Sequence, residues 1–214
     1  MRRPKIDGLY AVTPDVPDTF KLVAMTRQAL EGGARLVQYR NKAANIPLRL
    51  EQTRLLAPLC RKFNVPFIVN DHPDLANEAG ADGVHLGQED ASITEARRKL
   101  GPGKIIGVSC YDRLALAVEA ECRGADYVAF GSFFVSLTKP GAAAASTELL
   151  CHAKRKLHIP VVAIGGITLN NAVELIHRGA DALAVSNALY GARNIRSAAE
   201  KFSRLLNLNP AIDR

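Results

Sequence analysis

The chain alternates between short apolar runs, which are typical of buried strands, and longer segments with the amphipathic spacing of helices. Four segments repeat one pattern, in which a helical segment ends at a glycine and a short apolar strand follows. These segments are EGGARLVQYR from residue 31, EAGADGVHLG from 78, CRGADYVAFG from 122 and HRGADALAVS from 177. We expect their glycines, Gly33, Gly80, Gly124 and Gly179, to adopt the left-handed conformation that closes a helix.

Successive copies of this pattern lie about twice as far apart as one strand and one helix require. A further strand is therefore expected in each interval and before the first copy. The additional strands are GLYAVTP from residue 8, VPFIVND from 65, KIIGVSC from 104 and IPVVAIGG from 159. Eight helical segments alternate with the eight strands, among them FKLVAMTRQALEGG from 20, LRLEQTRLLAPLCRKF from 48 and SAAEKFSRLL from 197.

Strict alternation of strand and helix predicts a parallel sheet, because a parallel crossover needs a helix to return the chain. With 214 residues, of which 48% are hydrophobic, the chain suits one large core. We therefore predict one α/β domain over residues 1–214, a (β/α)8 TIM barrel. A doubly wound open sheet is the alternative, and it would place the ligand in one crevice rather than above a ring of strand ends.

The composition narrows the choice of partners. A net charge of +7 raises the question of nucleic acid, but much of it lies in helical clusters near residues 97 and 155 that are expected to be solvated. No familiar nucleic-acid motif is present, and a small anionic ligand explains the charge more simply. We predict no nucleic-acid partner and no membrane partner, since no run of eighteen apolar residues occurs. Four scattered cysteines indicate reduced thiols and a cytoplasmic location. Assembly into a homo-oligomer is left open.

Polar residues at the strand ends provide the candidate chemistry. In RLVQYRNK, Gln38, Arg40 and Lys42 are two residues apart and therefore share one face, while Val37 and Tyr39 point the other way. An amide and two cations would converge there. An ordinary polar strand exit explains the stretch equally well.

Carboxylates follow the next two strands. Asn70 and Asp71 end the third strand, and Glu89 with Asp90 follow the fourth at an equivalent level. Two carboxylates from adjacent strand ends suit one magnesium ion whose other ligands are water and substrate oxygens. The alternative for Asp71 is the N-cap of the next helix. His85 is expected to be a packed or hydrogen-bonded strand residue.

The remaining strand ends offer hydroxyls and glycines. Ser109 after strand five either faces the ligand or caps the next helix. Gly165 and Gly166 after strand seven, together with Ser186 and Asn187 after strand eight, occupy the usual phosphate position of this barrel class.

The exit from strand six is unusual in composition. Ser136 and Thr138 can present hydroxyls, and Lys139 carries a charge suited to phosphate. The stretch PGAAAAS behind them lacks large side chains, so we predict a mobile flap over the ligand. The alternative is an extension of the following helix, because alanine is the best helix former.

Taken together, these motifs closely resemble the thiamine-phosphate synthase family over essentially the whole chain. QYRNK is similar to the family's Q-x-R-x-K, NDHPDLANEAGADGVHLGQEDA to its most characteristic block, and GVSC, SLTK and AIGGI follow in the family's order. The resemblance implies a TIM barrel that joins a hydroxymethylpyrimidine diphosphate to a thiazole phosphate and releases pyrophosphate.

The resemblance also implies roles for individual residues. Asp71 and Asp90 would bind Mg²⁺, and Arg40, Lys42, Ser109 and Lys139 would be catalytic. The pyrimidine diphosphate would contact Gln38, Tyr39, Arg40, Asn41, Lys42, Asn70, Ser109 and Lys139. The thiazole phosphate would contact Ser136, Leu137, Thr138, Gly166, Ser186 and Asn187.

The chain departs from the family pattern at Val135 and Ser136, where many members carry proline and threonine, and at the pair Ser186 and Asn187, which replaces a commoner apolar-Ser pair. The implied substitution needs no nucleophilic Ser-His or Cys-His pair, and none is expected. Two rivals are a thiazole tautomerase of the same superfamily, which would not need the magnesium pair, and a non-catalytic protein that binds a thiamine intermediate.

Overall fold

The computed structural model describes residues 5–134 and 145–207, and its eight parallel strands form a closed barrel. The strands are β1 (Gly8–Val12), β2 (Leu36–Tyr39), β3 (Phe67–Asn70), β4 (Gly83–Leu86), β5 (Ile105–Tyr111), β6 (Tyr127–Phe130), β7 (Val161–Ile164) and β8 (Ala182–Val185). Each strand pairs with the next, and β8 pairs with β1. The predicted TIM barrel is therefore confirmed, and the open sheet is wrong.

Helices surround this barrel. Those in the described part of the chain are α1 (Thr19–Glu31), α2 (Ile46–Lys62), α3 (Pro73–Glu78), α4 (Ile93–Leu100), α5 (Leu114–Cys122), α6 (Glu148–Lys156), α7 (Ala172–His177), α8 (Asn187–Tyr190) and α9 (Ile195–Asn207). The short α8, which follows β8 directly, was not predicted from the sequence. No helix within these ranges has the length and apolar character needed to cross a bilayer.

Alternating side chains along the strands build two separate cores. Leu9 and Ala11 of β1 pack outward with the helices, whereas Tyr10 and Val12 belong to a smaller cluster inside the barrel. The strand period of two produces this division, because successive side chains point to opposite faces. The interior cluster also contains apolar residues from other strands, among them Leu36, Ile68 and Val162.

The sequence repeat has a structural explanation. The four glycines have φ angles of 96°, 64°, 88° and 103° at Gly33, Gly80, Gly124 and Gly179, as predicted. In three copies the aspartate two residues after the glycine accepts a hydrogen bond from a backbone N–H in the first two residues of the preceding strand. The pairs are Asp82 with Phe67 (2.9 Å), Asp126 with Ile106 (2.9 Å) and Asp181 with Val161 (2.7 Å). The repeat thus ends a helix and joins two strands in register.

One basic cluster is less solvated than predicted. Arg98 and the run 154–156 are exposed, but Arg97 turns inward and its Nη2 lies 2.7 Å from Asp126 Oδ2. Arg97 also donates hydrogen bonds to the carbonyls of Gly101, Lys104 and Gly124. Part of the positive charge is therefore used to hold strand ends together rather than to attract a partner.

Candidate active site at the carboxyl ends of the strands

Polar residues line the interior of the barrel where the strands end. Register places Gln38 beside Val12, Asn70 beside His85, and Ser109 beside Ala129. Val12 and Ala129 belong to the interior cluster, and residues paired across parallel strands share a face. Four neighbouring strands therefore direct polar side chains to one end of the barrel.

The two cations predicted at this mouth are both found there, each beside a carboxylate. Arg40 Nη1 lies 3.8 Å from Asp15 Oδ1, and Lys42 Nζ lies 3.7 Å from Asp71 Oδ2. Asp15 also accepts a hydrogen bond from the Lys42 backbone N–H at 2.9 Å. Long contacts of this kind hold the cations loosely, so an incoming polyanion can compete for them.

Tyr39 and Asn41 have other partners. The Tyr39 hydroxyl donates to Gln52 Oε1 at 2.9 Å, and Asn41 Nδ2 donates to the same oxygen at 3.1 Å. Both side chains face α2 rather than the barrel interior, because they alternate with Gln38 and Arg40 along the strand. Only their backbone groups remain available for the substrate contacts that the family resemblance implies.

Arg49 of α2 was not predicted and supports this loop from behind. Its Nε donates to the carbonyl of Asn41 at 3.2 Å, and its Nη2 donates to the carbonyl of Lys42 at 3.2 Å. Its Nη1 also contacts His72 Nε2. These bonds fix the loop that carries the cations. The second turn of a helix gave no sequence signal for such a role.

Asp71 and Asp90 lie next to each other at the mouth. The pKa of Asp71 is raised to about 6, mainly because the carboxyl is partly buried. A hydrogen bond with Asp90 and the negative charge of Asp90 raise this pKa further, whereas the positive charges of Lys42 and Arg40 lower it. Asp90 Oδ2 also accepts the Gly87 N–H at 2.6 Å. The N-cap of α3 is His72, without a side-chain hydrogen bond, so the helix-cap alternative for Asp71 is wrong.

The donor set suits a hard divalent cation. Two carboxylate groups that adjoin at a partly buried site repel each other unless a cation or a proton lies between them. Within the described part of the chain, no group of three or more His, Cys, Asp or Glu side chains is arranged so that it could hold a metal ion. Two carboxylates with open positions match the preference of magnesium for retained water and substrate oxygens, while Glu89 is exposed.

Ser109 and His85 form a contact that was not predicted from the sequence. His85 Nε2 lies 2.9 Å from Ser109 Oγ, whereas the sequence led us to expect no nucleophilic Ser-His pair. The residues are too distant in sequence to reveal the contact, which requires the pairing of β4 with β5. The N-cap of α5 is Arg113, and Ser109 therefore does not cap this helix.

This pair does not resemble an activated nucleophile. His85 Nδ1 contacts the Tyr127 hydroxyl at 2.9 Å instead of a carboxylate. Burial lowers the pKa of His85 to about 4, opposed by the charge of Asp90. A buried, neutral imidazole is a poor base, so the expectation that His85 is a hydrogen-bonded strand residue is confirmed.

The loops after β7 and β8 lie at the same mouth. Gly165 and Gly166 have φ angles of 102° and 64°, and a Cβ on Gly165 would lie 2.1 Å from Ser132 Oγ. The loop can approach the β6 exit closely only because Gly165 is a glycine. Ser186 is half-buried and Asn187, at the start of α8, is exposed.

The remaining predicted residues are Val135, Ser136, Leu137, Thr138 and Lys139, which lie outside the described residues, as does most of the predicted flap. Ala145, the last of the four alanines, is described and donates its N–H to the Ser132 carbonyl at 2.8 Å. The helix α6 begins at Glu148.

Comparison with known proteins gives a consistent result. A family model described as "Thiamine monophosphate synthase" matches residues 9–189. The thiamine-phosphate synthase of Nitrosospira multiformis is 61% identical over 99% of this chain and 92% of its own length. That of Nitrosomonas eutropha is 54% identical over 96% of this chain and 97% of its own.

A solved structure agrees with these sequence matches. The thiamine phosphate pyrophosphorylase of Pyrococcus furiosus superposes with a TM-score of 0.84 at 39% identity, over 94% of this chain and 95% of its own. Fold, sequence and the arrangement of polar strand ends therefore agree along nearly the whole chain. The chain belongs to the thiamine monophosphate synthase family.

Proposed function

We propose that the chain, as a thiamine-phosphate synthase, transfers the hydroxymethylpyrimidine group from its diphosphate to the ring nitrogen of hydroxyethylthiazole phosphate. The products would be thiamine phosphate and pyrophosphate. The observation that carries this proposal is the meeting of Arg40 and Lys42 with the carboxylate pair Asp71 and Asp90 at one mouth of the barrel. Such a site can hold a diphosphate and stabilise it as it leaves.

The reaction is proposed to begin with cleavage of the C–O bond to pyrophosphate. The aminopyrimidine delocalises the positive charge that remains, so the main task of the protein is to stabilise negative charge on the leaving group. Preorganised cations are effective because they need no rearrangement as that charge develops. Arg40 and Lys42 supply two of these, and Lys139 is proposed as a third.

Asp71 and Asp90 would hold Mg²⁺, which when bound would neutralise charge on the diphosphate. By holding that ion beside Lys42, Asp71 and Asp90 would keep the diphosphate close to Arg40 and Lys42. Cations and carboxylates alternate at the mouth of the barrel, because Arg40 contacts Asp15 and Lys42 contacts Asp71. The mouth is therefore not uniformly positive.

The pyrimidine is proposed to lie over Gln38, Asn70 and Ser109, whose strand positions face the barrel interior. The thiazole phosphate would contact Gly166, Ser186 and Asn187 together with the segment 136–138. Its ring nitrogen attacks with its own lone pair, so the protein need not supply a nucleophile or a base. Four free cysteines support the proposal that the enzyme works in the reducing cytoplasm.

The decisive experiment combines purified protein with both heterocyclic substrates, with and without Mg²⁺, and measures pyrophosphate and thiamine phosphate. We expect equal amounts of both products, formed only when both substrates and the metal are present. Turnover of a thiazole phosphate without the pyrimidine diphosphate would instead indicate a tautomerase. Tight binding of both substrates without pyrophosphate release would indicate a non-catalytic binding protein.

A further inference from the structure

A chain of hydrogen bonds crosses the barrel interior from β2 to β5. Gln38 Nε2 donates to the Tyr10 hydroxyl at 3.0 Å, and the Tyr10 and Tyr127 hydroxyls lie 2.8 Å apart. Tyr127 then contacts His85 Nδ1 at 2.9 Å, and His85 Nε2 contacts Ser109 Oγ at 2.9 Å. These hydrogen bonds therefore join Gln38 and Ser109, two residues proposed to hold the pyrimidine, through three side chains that do not themselves line the proposed substrate site.

Gly107 makes room for this row of hydrogen-bonded side chains inside the barrel. A Cβ on Gly107 would lie 2.0 Å from Cζ of Tyr127, so the tyrosine ring occupies space that any other residue would fill. The rings of Tyr127 and His85 stack with centroids 5.6 Å apart, and Tyr10 meets Tyr127 edge to face. Tyr10 and Tyr127 are buried, with at most 1% exposure.

With the Gln38 amide oriented as in the structure, burial determines where each proton lies. The Tyr10 hydroxyl accepts a hydrogen bond from Gln38 Nε2 and has no other partner among the described residues except Tyr127, so its own proton points to Tyr127. The Tyr127 proton must then point to His85 Nδ1, because an unmet buried hydroxyl is costly. His85 Nδ1 is an acceptor in this arrangement, and the ring proton resides on Nε2. Burial raises the pKa of both tyrosines, which keeps their protons in place.

We propose that Tyr10, Tyr127 and His85 act as positioning residues that make Ser109 a hydrogen-bond donor towards the substrate. Ser109 Oγ accepts a hydrogen bond from His85 Nε2–H, and the Ser109 hydroxyl proton is then directed into the site. The substrate atom that meets Ser109 is an acceptor, either a ring nitrogen of the pyrimidine or a phosphate oxygen. This inference rests on the proposed function for the identity of the substrate, but the proton arrangement itself does not.

Reversing the direction of donation along these hydrogen bonds would have a different consequence. If the Gln38 amide were reversed, every proton would shift, Ser109 would donate to His85 Nε2, and His85 would carry its proton on Nδ1. Ser109 would then accept from the substrate and select an amino group. The position of one proton on His85 therefore distinguishes the two kinds of recognition.

The test is a nitrogen NMR measurement of the histidine side chains in the ¹⁵N-labelled full chain at neutral pH, with His85 assigned by its absence from a His85→Gln variant. We expect a neutral ring protonated on Nε2. A ring protonated on Nδ1, or on both nitrogens, would overturn the proposal. This measurement uses the wild-type chain without substrate, so its outcome does not depend on whether the proposed reaction is found.

Tyr127→Phe tests the functional consequence. We expect both tautomers of His85 to be populated, and KM for the pyrimidine diphosphate to rise about tenfold, as for loss of one oriented hydrogen bond. KM for the thiazole phosphate should stay within twofold, which a general loss of structure would not allow. Tyr190→Phe is the matched control. The Tyr190 hydroxyl is also buried, but it contacts Thr26 at 3.4 Å and takes no part in the hydrogen bonds that reach Ser109. A Tyr127→Phe enzyme with unchanged tautomer and unchanged KM would also overturn the proposal. Absence of any thiamine phosphate from the wild type would refute the proposed function alone.

Discussion

At the scale of single residues, Asp71 combines an uncommon backbone with an uncommon carboxyl environment. Its φ of 63° lies in the left-handed region, which asparagine and aspartate tolerate better than most residues. The conformation aims its side chain at Asp90 rather than at the N-terminus of α3. Asp71→Asn is therefore a better probe than Asp71→Ala, because asparagine preserves the backbone and removes only the charge.

This environment predicts a pH dependence of stability in metal-free protein. Burial and Asp90 raise the pKa of Asp71 from 3.8 to about 6, so the folded state holds this proton more tightly than the unfolded state. The protonated Asp71 carboxyl therefore stabilises the folded state fully below about pH 4, and this contribution to the free energy of unfolding is lost as pH rises through about 6. The difference between the two pKa values corresponds to about 3 kcal/mol in the free energy of unfolding. Because the carboxyl is partly solvated, we expect an effect of about 1 kcal/mol.

The measurement compares urea unfolding of wild type and Asp71→Asn from pH 4 to 7 in the presence of a chelator. We expect the wild type to lose stability relative to the variant as pH rises, so that Asp71→Asn is the more stable protein at pH 7. Parallel curves for the two proteins across this range would contradict the prediction.

At the scale of elements, the aspartates that follow the helix-ending glycines hold neighbouring strands in register. Asp181 accepts the Val161 N–H at 2.7 Å and pairs with Lys154 at 2.8 Å. Asp181→Ala leaves the amide at the start of β7 without its partner, for which we expect a loss of about 2 kcal/mol in the free energy of unfolding.

Two controls separate the backbone bond from the ion pair in the same urea titration. Asp181→Asn retains an acceptor oxygen and should recover more than half of the loss. Lys154→Ala removes only a surface ion pair and should cost less than about 1 kcal/mol. If Lys154→Ala proved as damaging as Asp181→Ala, the ion pair and not the backbone bond would be the important contact.

The predictability of these elements follows from the range of the interactions that define them. The strands, the glycine turns and the bounds of α1, α2 and α9 depend on local periodicity and were predicted to within two or three residues. The four-residue α8 has no such signal, because one helical turn shows no period. Arg97 was misassigned for another reason: its exposure depends on Asp126, which lies in a different repeat.

At the scale of the whole molecule, closure of the barrel determines which residues meet. Gln38, Asn70, Asp71 and Ser109 could be chosen from the sequence because each ends a strand. The chain through Tyr10, Tyr127 and His85 could not, since it joins β1, β4 and β6 across the interior. Sequence spacing places a side chain on a face, but only the register around a closed ring places it opposite another.

Closure also brings the two ionic subsites into contact, and this predicts cooperative binding. Lys42 lies 3.7 Å from Asp71 and serves as its counter-ion when no metal is bound. A divalent cation at Asp71 and Asp90 would replace Lys42 in that role and free it for a polyanion. Coupling between two ligands is reciprocal, so pyrophosphate should likewise strengthen metal binding.

We therefore expect inorganic pyrophosphate to bind wild-type protein at least about tenfold more tightly at saturating free Mg²⁺ than in chelator, a coupling of about 1.4 kcal/mol. Titration calorimetry at fixed free metal measures this. In Asp71→Asn the ratio should fall to within twofold, because Lys42 is already released and a metal ligand is lost. Asp74→Asn, three residues away and paired with Lys99 at 2.7 Å, should retain the wild-type ratio. If the wild type bound pyrophosphate with equal affinity with and without metal, binding at the cations would be independent of binding at the carboxylates. The two groups could not then act together on a departing diphosphate.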